Sequence, residues 1–124
     1  MIMTKRVLIV DDAMIMRMRI REAAVEAGWE VVAEAADGLQ AVELFRSHRP
    51  DLVTMDIVMP NRDGVEALRA IRCEEPSARV CMVSAVNQQS KLSECIRLGA
   101  IDFLIKPVDK NQLLSLFEKQ GRLP

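Results

Sequence analysis

Asp11 and Asp12 follow the apolar run Val7–Val10, Asp56 follows Leu52–Met55, and Lys106 follows Phe103–Ile105. Ser84 closes a fourth run, Val80–Ser84. Carboxylates brought to a common edge repel, since two unit charges about 4 Å apart interact by roughly 4 kcal/mol at an effective dielectric of about 20. Such a cluster either protonates one member, at a raised pKa, or binds a cation. A hard divalent ion suits oxygen ligands, and magnesium keeps several waters and welcomes a phosphoryl oxygen. No neighbouring Cys or His offers the softer ligands of zinc or copper. With such an ion in place, Asp56 is set up for phosphoryl transfer, which needs positioning and charge stabilisation more than acid–base chemistry. Lys106 would add a second positive contact and bridge the acids before a phosphoryl group arrives. The Ser84 hydroxyl can donate to a phosphoryl oxygen, and the small Ala85 beside it leaves an approach path. Each piece alone is ordinary: an Asp pair after a strand is commonly a helix cap, and a Lys-Pro step is usually a surface turn. The complete set at strand ends carries the argument.

The elements that must position these groups alternate. Short β-branched runs at Val7–Val10, Val31–Ala35, Leu52–Met55, Val80–Ser84 and Phe103–Ile105 read as strands. Between and after them, Met14–Ala27, Gln40–Arg49, Gly64–Glu75, Ser90–Leu98 and Asn111–Lys119 carry apolar residues at helical spacing. The first has Ile15, Met18, Ala23 and Val25 as its apolar positions, and Gly28, Gly99 and Gly121 read as stops. Strand–helix alternation five times over predicts an α/β fold: a doubly wound, five-stranded parallel sheet with five helices on its two faces and right-handed crossovers. In such a sheet, ligands bind beyond the carboxyl ends of the strands, where strand order reverses. All of the chemically interesting residues belong to that edge.

Length and composition narrow the class. The 124 residues are half hydrophobic and 28% charged, which predicts one globular domain over 1–124. A net charge of −1 argues against a direct nucleic-acid binder. No apolar run approaches a membrane span, and the start lacks a secretion signal, so a cytoplasmic protein is expected. Cys73, Cys81 and Cys95 form no C-x-x-C pair and are expected as reduced thiols filling helix or strand positions. His48, the single histidine, is expected on a surface loop and makes neither metal site nor triad. Arg17, Arg19 and Arg21 read as a solvated helix face.

Taken together, Val7–Asp12, Pro50–Asp56, Met59-Pro60 with Asp63-Gly64, Ser84-Ala85 and Gly99–Pro107 resemble the receiver domain of two-component response regulators. The resemblance covers essentially the whole chain. It implies the flavodoxin-like strand order 2-1-3-4-5. It implies that Asp56 is the phosphoacceptor, charged by a histidine kinase, and that Asp12 and Asp56 ligate Mg2+ directly with the Val58 carbonyl, Asp11 acting through a water. Ser84 and Lys106 would bind the phosphoryl group, Lys106-Pro107 would be a cis peptide, and Phe103 would be the aromatic switch of the face formed by the fourth helix, fifth strand and fifth helix. A signalling phosphoacceptor rather than an enzyme is expected, acting as a monomer.

The stretches Asp11–Met18, Val53–Ile57 and Ser84–Gln89 resemble the CheY-like branch that serves chemotaxis. Its output partner would be the flagellar motor switch, with a phosphatase as a further partner. The alternative is the receiver of a regulator with a DNA-binding or methylesterase output. Arg62 stands where relatives often carry an apolar residue, which predicts a more exposed loop after Pro60. Val58 and Val86 flank the site without polar groups that could position an attacking water, which predicts slow loss of phosphate. A flavodoxin-like FMN protein is disfavoured because Asp11-Asp12 would repel the cofactor phosphate. An aspartate-nucleophile phosphatase is disfavoured because Asp56-Ile57-Val58 lacks its second acid.

Overall fold

The β-branched runs form strands because their side chains pack well on both faces of a pleated surface. The computed structural model describes residues 4–122, apart from the side chain of Val86. The strands are β1 (Arg6–Val10), β2 (Glu30–Ala35), β3 (Leu52–Met55), β4 (Val80–Ala85) and β5 (Asp102–Lys106). The helices are α1 (Met14–Glu26), α2 (Gly38–His48), α3 (Gly64–Glu74), α4 (Gln89–Arg97) and α5 (Lys110–Arg122), with one 3-10 turn over Val86–Gln88 before α4. All strand pairs are parallel, in the order β2-β1-β3-β4-β5. Strand order reverses around β1, which pairs with both β2 and β3.

Alternation along each strand divides the core in two. Leu8, Val10, Val53, Met55, Val80 and Met82 pack against α2, α3 and α4. Val7, Ile9, Leu52, Cys81 and Val83 pack against α1 and α5. Two-sided burial of this kind accounts for the near-continuous apolar character of β1, β3 and β4. At roughly 25 cal/mol per Å² of apolar surface, it is the dominant favourable contribution to the fold. Cys81 and Cys95 are buried and Cys73 is exposed on α3. Burial pushes the Cys81 thiol up to about 12 and the Cys95 thiol up to about 11, so both act as small apolar fillers.

Four local expectations change. In α1 the buried stripe is Met16, Ile20, Ala23 and Ala24, while Ile15, Met18 and Val25 are exposed. This helix carries apolar residues on more than one face, so periodicity alone does not select the inward one. Gly121 lies inside α5 rather than ending it. The flanking Phe117 and Gln120 are buried, and Gly121 faces the Trp29 indole. His48 is the last residue of α2 and half-buried, its carbonyl accepting from the Arg6 guanidinium at 2.7 Å. Arg17 and Arg21 are not simply solvated, because both pair with Glu34 of β2. Gly99 does close α4 as expected, at φ 105° in the left-handed region where a Cβ is costly.

Candidate functional site

β1 and β3 are adjacent and parallel, with Val10 opposite Met55. The residues that follow therefore emerge side by side, and the Asp56 amide donates to the Val10 carbonyl at 3.0 Å. Carboxylate oxygens of Asp11, Asp12 and Asp56 all lie within 4.8 Å of one another. Asp11 is fully buried, Asp56 nearly so, and Asp12 is exposed. On the far side of β4, Lys106 ends β5 opposite Ala85. Its Nζ reaches Asp11 Oδ2 at 2.9 Å and Asp56 Oδ2 at 3.2 Å. The Lys106-Pro107 peptide is cis.

Electrostatics follow from this packing. The Asp56 carboxyl is pushed up to about 6, first by burial and then by the charge of Asp11. Lys106 and the Ile57 amide, which donates to Asp56 Oδ1 at 2.8 Å, pull the other way without prevailing. For Lys106, burial lowers the pKa, but the hydrogen bond to Asp11 and the charge of Asp56 outweigh it and leave the ammonium above its ordinary value. Three carboxylates against one ammonium leave a net negative, oxygen-only cluster. This donor set fits a hard divalent cation and does not fit a soft one. Ser84 Oγ at the end of β4 is buried and, among the described residues, has no hydrogen-bond partner, an unsatisfied donor on the same edge. Val58 lies two residues past Asp56 on the β3–α3 loop, its side chain half exposed. Phe103 is exposed on edge strand β5, opposite Met82, two positions before the Ile105–Ser84 pair.

The loop carrying Asp56 is held by further groups. The Gly64 amide donates to the Ile57 carbonyl at 2.7 Å, and a Cβ at Gly64 would stand 1.9 Å from the Asp56 carbonyl oxygen. Only glycine permits that approach. Asp37 caps α2 through the Gln40 amide at 2.8 Å and accepts from Asn61 Nδ2 at 2.7 Å. These bonds hold its carboxyl below the usual carboxylate range. The Gly38 amide donates to the Arg62 carbonyl at 2.9 Å; Arg62 is half-buried, and Pro60 and Asn61 before it are exposed. A D-G step after a short strand was the available signal for this α2 cap.

Residues 7–118 match the response regulator receiver domain. The chain belongs to that family. Among similar proteins, the chemotaxis protein CheY of Bacillus subtilis is 50% identical over 117 residues, 94% of this chain and 98% of its own. The CheX–CheY–BeF3–Mg2+ complex from Borrelia burgdorferi superposes with a TM-score of 0.85 at 34% identity, covering 90% of this chain and 84% of that one. The response regulator domain of Thermotoga maritima CheB superposes with a TM-score of 0.84 at 37% identity, covering 97% and 96%. This is therefore a CheY-like receiver, with the flavodoxin-like topology that its sequence implied. None of the described helices is long and apolar enough to cross a membrane.

Proposed function

We propose that this receiver accepts a phosphoryl group on Asp56 from a phosphohistidine of a sensor histidine kinase, with Mg2+ as cofactor, and thereby switches its α4-β5-α5 face for an output partner. The observation that carries the reading is the convergence of Asp11, Asp12 and Asp56 within 4.8 Å, with Lys106 bridging two of them. Asp12, Asp56 and the Val58 carbonyl would hold the ion, with Asp11 acting through water. Bound there, Mg2+ would neutralise the charge of the incoming phosphoryl group and help to hold it for attack by the Asp56 carboxylate. At neutral pH, Asp56 with a pKa of about 6 is mostly ionised and nucleophilic. A carboxylate oxygen forms the new O–P bond as the P–N bond to the donor imidazole breaks, and the bonding pair leaves on the nitrogen. Lys106 then exchanges its contact with Asp56 Oδ2 for a phosphoryl oxygen. Ser84 gains the acceptor it lacks.

That movement couples to Phe103. Ser84 and Phe103 are on neighbouring strands, two register positions apart and facing the same side. Drawing Ser84 toward the phosphoryl group frees space inward of an exposed ring, so phosphorylation shifts an equilibrium between two packings of the α4-β5-α5 face. The names of the relatives support a role in chemotaxis. The proposed output partner is a flagellar motor switch protein, the proposed second partner is a phosphatase, and the proposed location is cytoplasmic. The chain acts as a signalling phosphoacceptor rather than as an enzyme on other substrates. The likeness to the CheB domain supports a second reading, a receiver feeding a methylesterase, which the reading frame after Pro124 distinguishes. The test of the main reading is incubation with acetyl phosphate and Mg2+ followed by intact mass. One phosphoryl group is expected on wild type and none on Asp56→Asn; equal uptake by the variant would contradict the assignment.

A further inference from the structure

Asp12 differs from the other two acids of the cluster. Among the described residues its carboxylate makes no hydrogen bond or ion pair, and it is exposed. Its position is set by the backbone that carries it, chiefly the planar peptide unit joining Asp11 to Asp12. That unit contains the Asp11 carbonyl, and Arg17 Nη1 donates to this oxygen at 2.7 Å from one turn into α1. The same guanidinium is turned by Glu34 of β2, whose Oε1 lies 3.3 Å from Arg17 Nε. The other Glu34 oxygen accepts from Arg21 Nε at 2.7 Å, which keeps Glu34 in place. Arg17 is mostly buried, with its side chain 17% exposed. The Asp11 amide is independently tied to the Ala35 carbonyl at 3.0 Å. The Asp11 residue is therefore anchored at its amide by β2 and at its carbonyl by Arg17.

We propose that Arg17 is a positioning residue for the divalent-cation site: it clamps the Asp11–Asp12 peptide plane and so aims the Asp12 carboxylate, with Glu34 orienting its guanidinium. The proposal rests on the reading of Asp11, Asp12 and Asp56 as cation ligands. It runs against simple electrostatics. A guanidinium beside an acidic cluster repels a second cation, so a residue acting by charge alone would, on removal, leave Mg2+ bound more tightly. A clamp predicts the opposite sign. Losing it lets the peptide plane rotate, and Asp12 must be re-ordered each time the ion binds. Arginine suits the role because its planar fork serves a carbonyl and a carboxylate together.

The experiment is calorimetric titration of Mg2+ into the full chain as wild type, Arg17→Ala and Arg17→Lys, at low and at high salt, with thermal melts in EDTA to establish folding. Arg17→Ala is expected to weaken Mg2+ binding on the order of tenfold, as loss of an outer-shell partner of a metal ligand does. The loss should persist at high salt, where long-range charge effects are screened. Arg17→Lys keeps the charge but cannot span both acceptors, and should fall between wild type and Arg17→Ala. Mg2+ binding by Arg17→Ala as tight as wild type, or tighter, overturns the proposal. If Arg17→Ala does not fold, wild-type affinity in Arg17→Lys overturns it instead. Failure of the wild type itself to take up Mg2+ would count against the functional reading, which separates the two claims.

Discussion

Neutralising Asp56 should stabilise the metal-free protein at neutral pH, although it removes the proposed acceptor. The carboxyl is raised from 3.8 to about 6, first by burial and then by Asp11. At ~1.4 kcal/mol per pKa unit, the ionised form costs the fold about 3 kcal/mol. A carboxyl with a folded pKa above its unfolded value holds its proton more tightly when folded. Stability therefore falls as pH rises from about 4 to about 6, with the full deficit present above that window and none below it. Asp56→Asn has the shape of the protonated acid and cannot ionise, and it leaves the Lys106–Asp11 contact at 2.9 Å intact. Urea denaturation in EDTA, repeated across this pH range, should show Asp56→Asn more stable than wild type by roughly 2–3 kcal/mol at neutral pH and equal to it under acid conditions. Mg2+ should shrink or reverse the gap, because it stabilises by mass action the form that binds it better. A pH-independent difference in EDTA, or a wild type more stable at neutral pH, would refute the electrostatic account of this site.

Other residues make further expectations. Gly64→Ala must displace the Asp56 carbonyl oxygen, 1.9 Å from the new Cβ, and should lose about 1–3 kcal/mol in a urea melt. Its phosphoryl uptake from acetyl phosphate should fall well beyond what that loss of folded protein explains. Ser84→Ala removes a buried hydroxyl that has no partner among the described residues, so the unphosphorylated protein should gain about 1 kcal/mol. A lower stability than wild type in the same melt would mean that the hydroxyl is satisfied. Val58 offers no polar group to an attacking water, so phosphate loss after donor removal should be slow, and Val58→Asn should hasten it. Complete loss within seconds in wild type, followed by intact mass, would contradict this.

Much of the scaffold was readable from the residues because burial on both faces of a parallel sheet leaves an unmistakable pattern. Val7–Val10 and Leu52–Met55 have few polar positions because no part of those strands meets water. Asp11, Asp56, Ser84 and Lys106 stood out as polar groups at the ends of such runs, and the fold brings them to one edge. Local residues that act through geometry were harder to see. Ile15, Met18 and Val25 match helical spacing as well as Met16 and Ile20 do, and only packing against β1 and α5 decides between the faces. Gly121 resembles a helix stop, but the anchoring of Phe117 and Gln120 carries α5 past it. The clamp of Asn61 on Asp37, and the passage of Gly64 beside Asp56, join residues distant in sequence or depend on a missing Cβ. Neither produces a periodicity. The Arg17–Asp11 contact is local but looks like any charged residue on an exposed helix.

Among the three converging carboxylates, Asp56 is the proposed acceptor of the phosphoryl group. Borohydride reduction of the acetyl phosphate-treated protein, followed by peptide mapping, converts an aspartyl phosphate to homoserine and locates it. Homoserine is expected at position 56, dependent on Mg2+ and absent in EDTA. Modification at position 11 or 12 instead, or at position 56 with equal yield in EDTA, would contradict it.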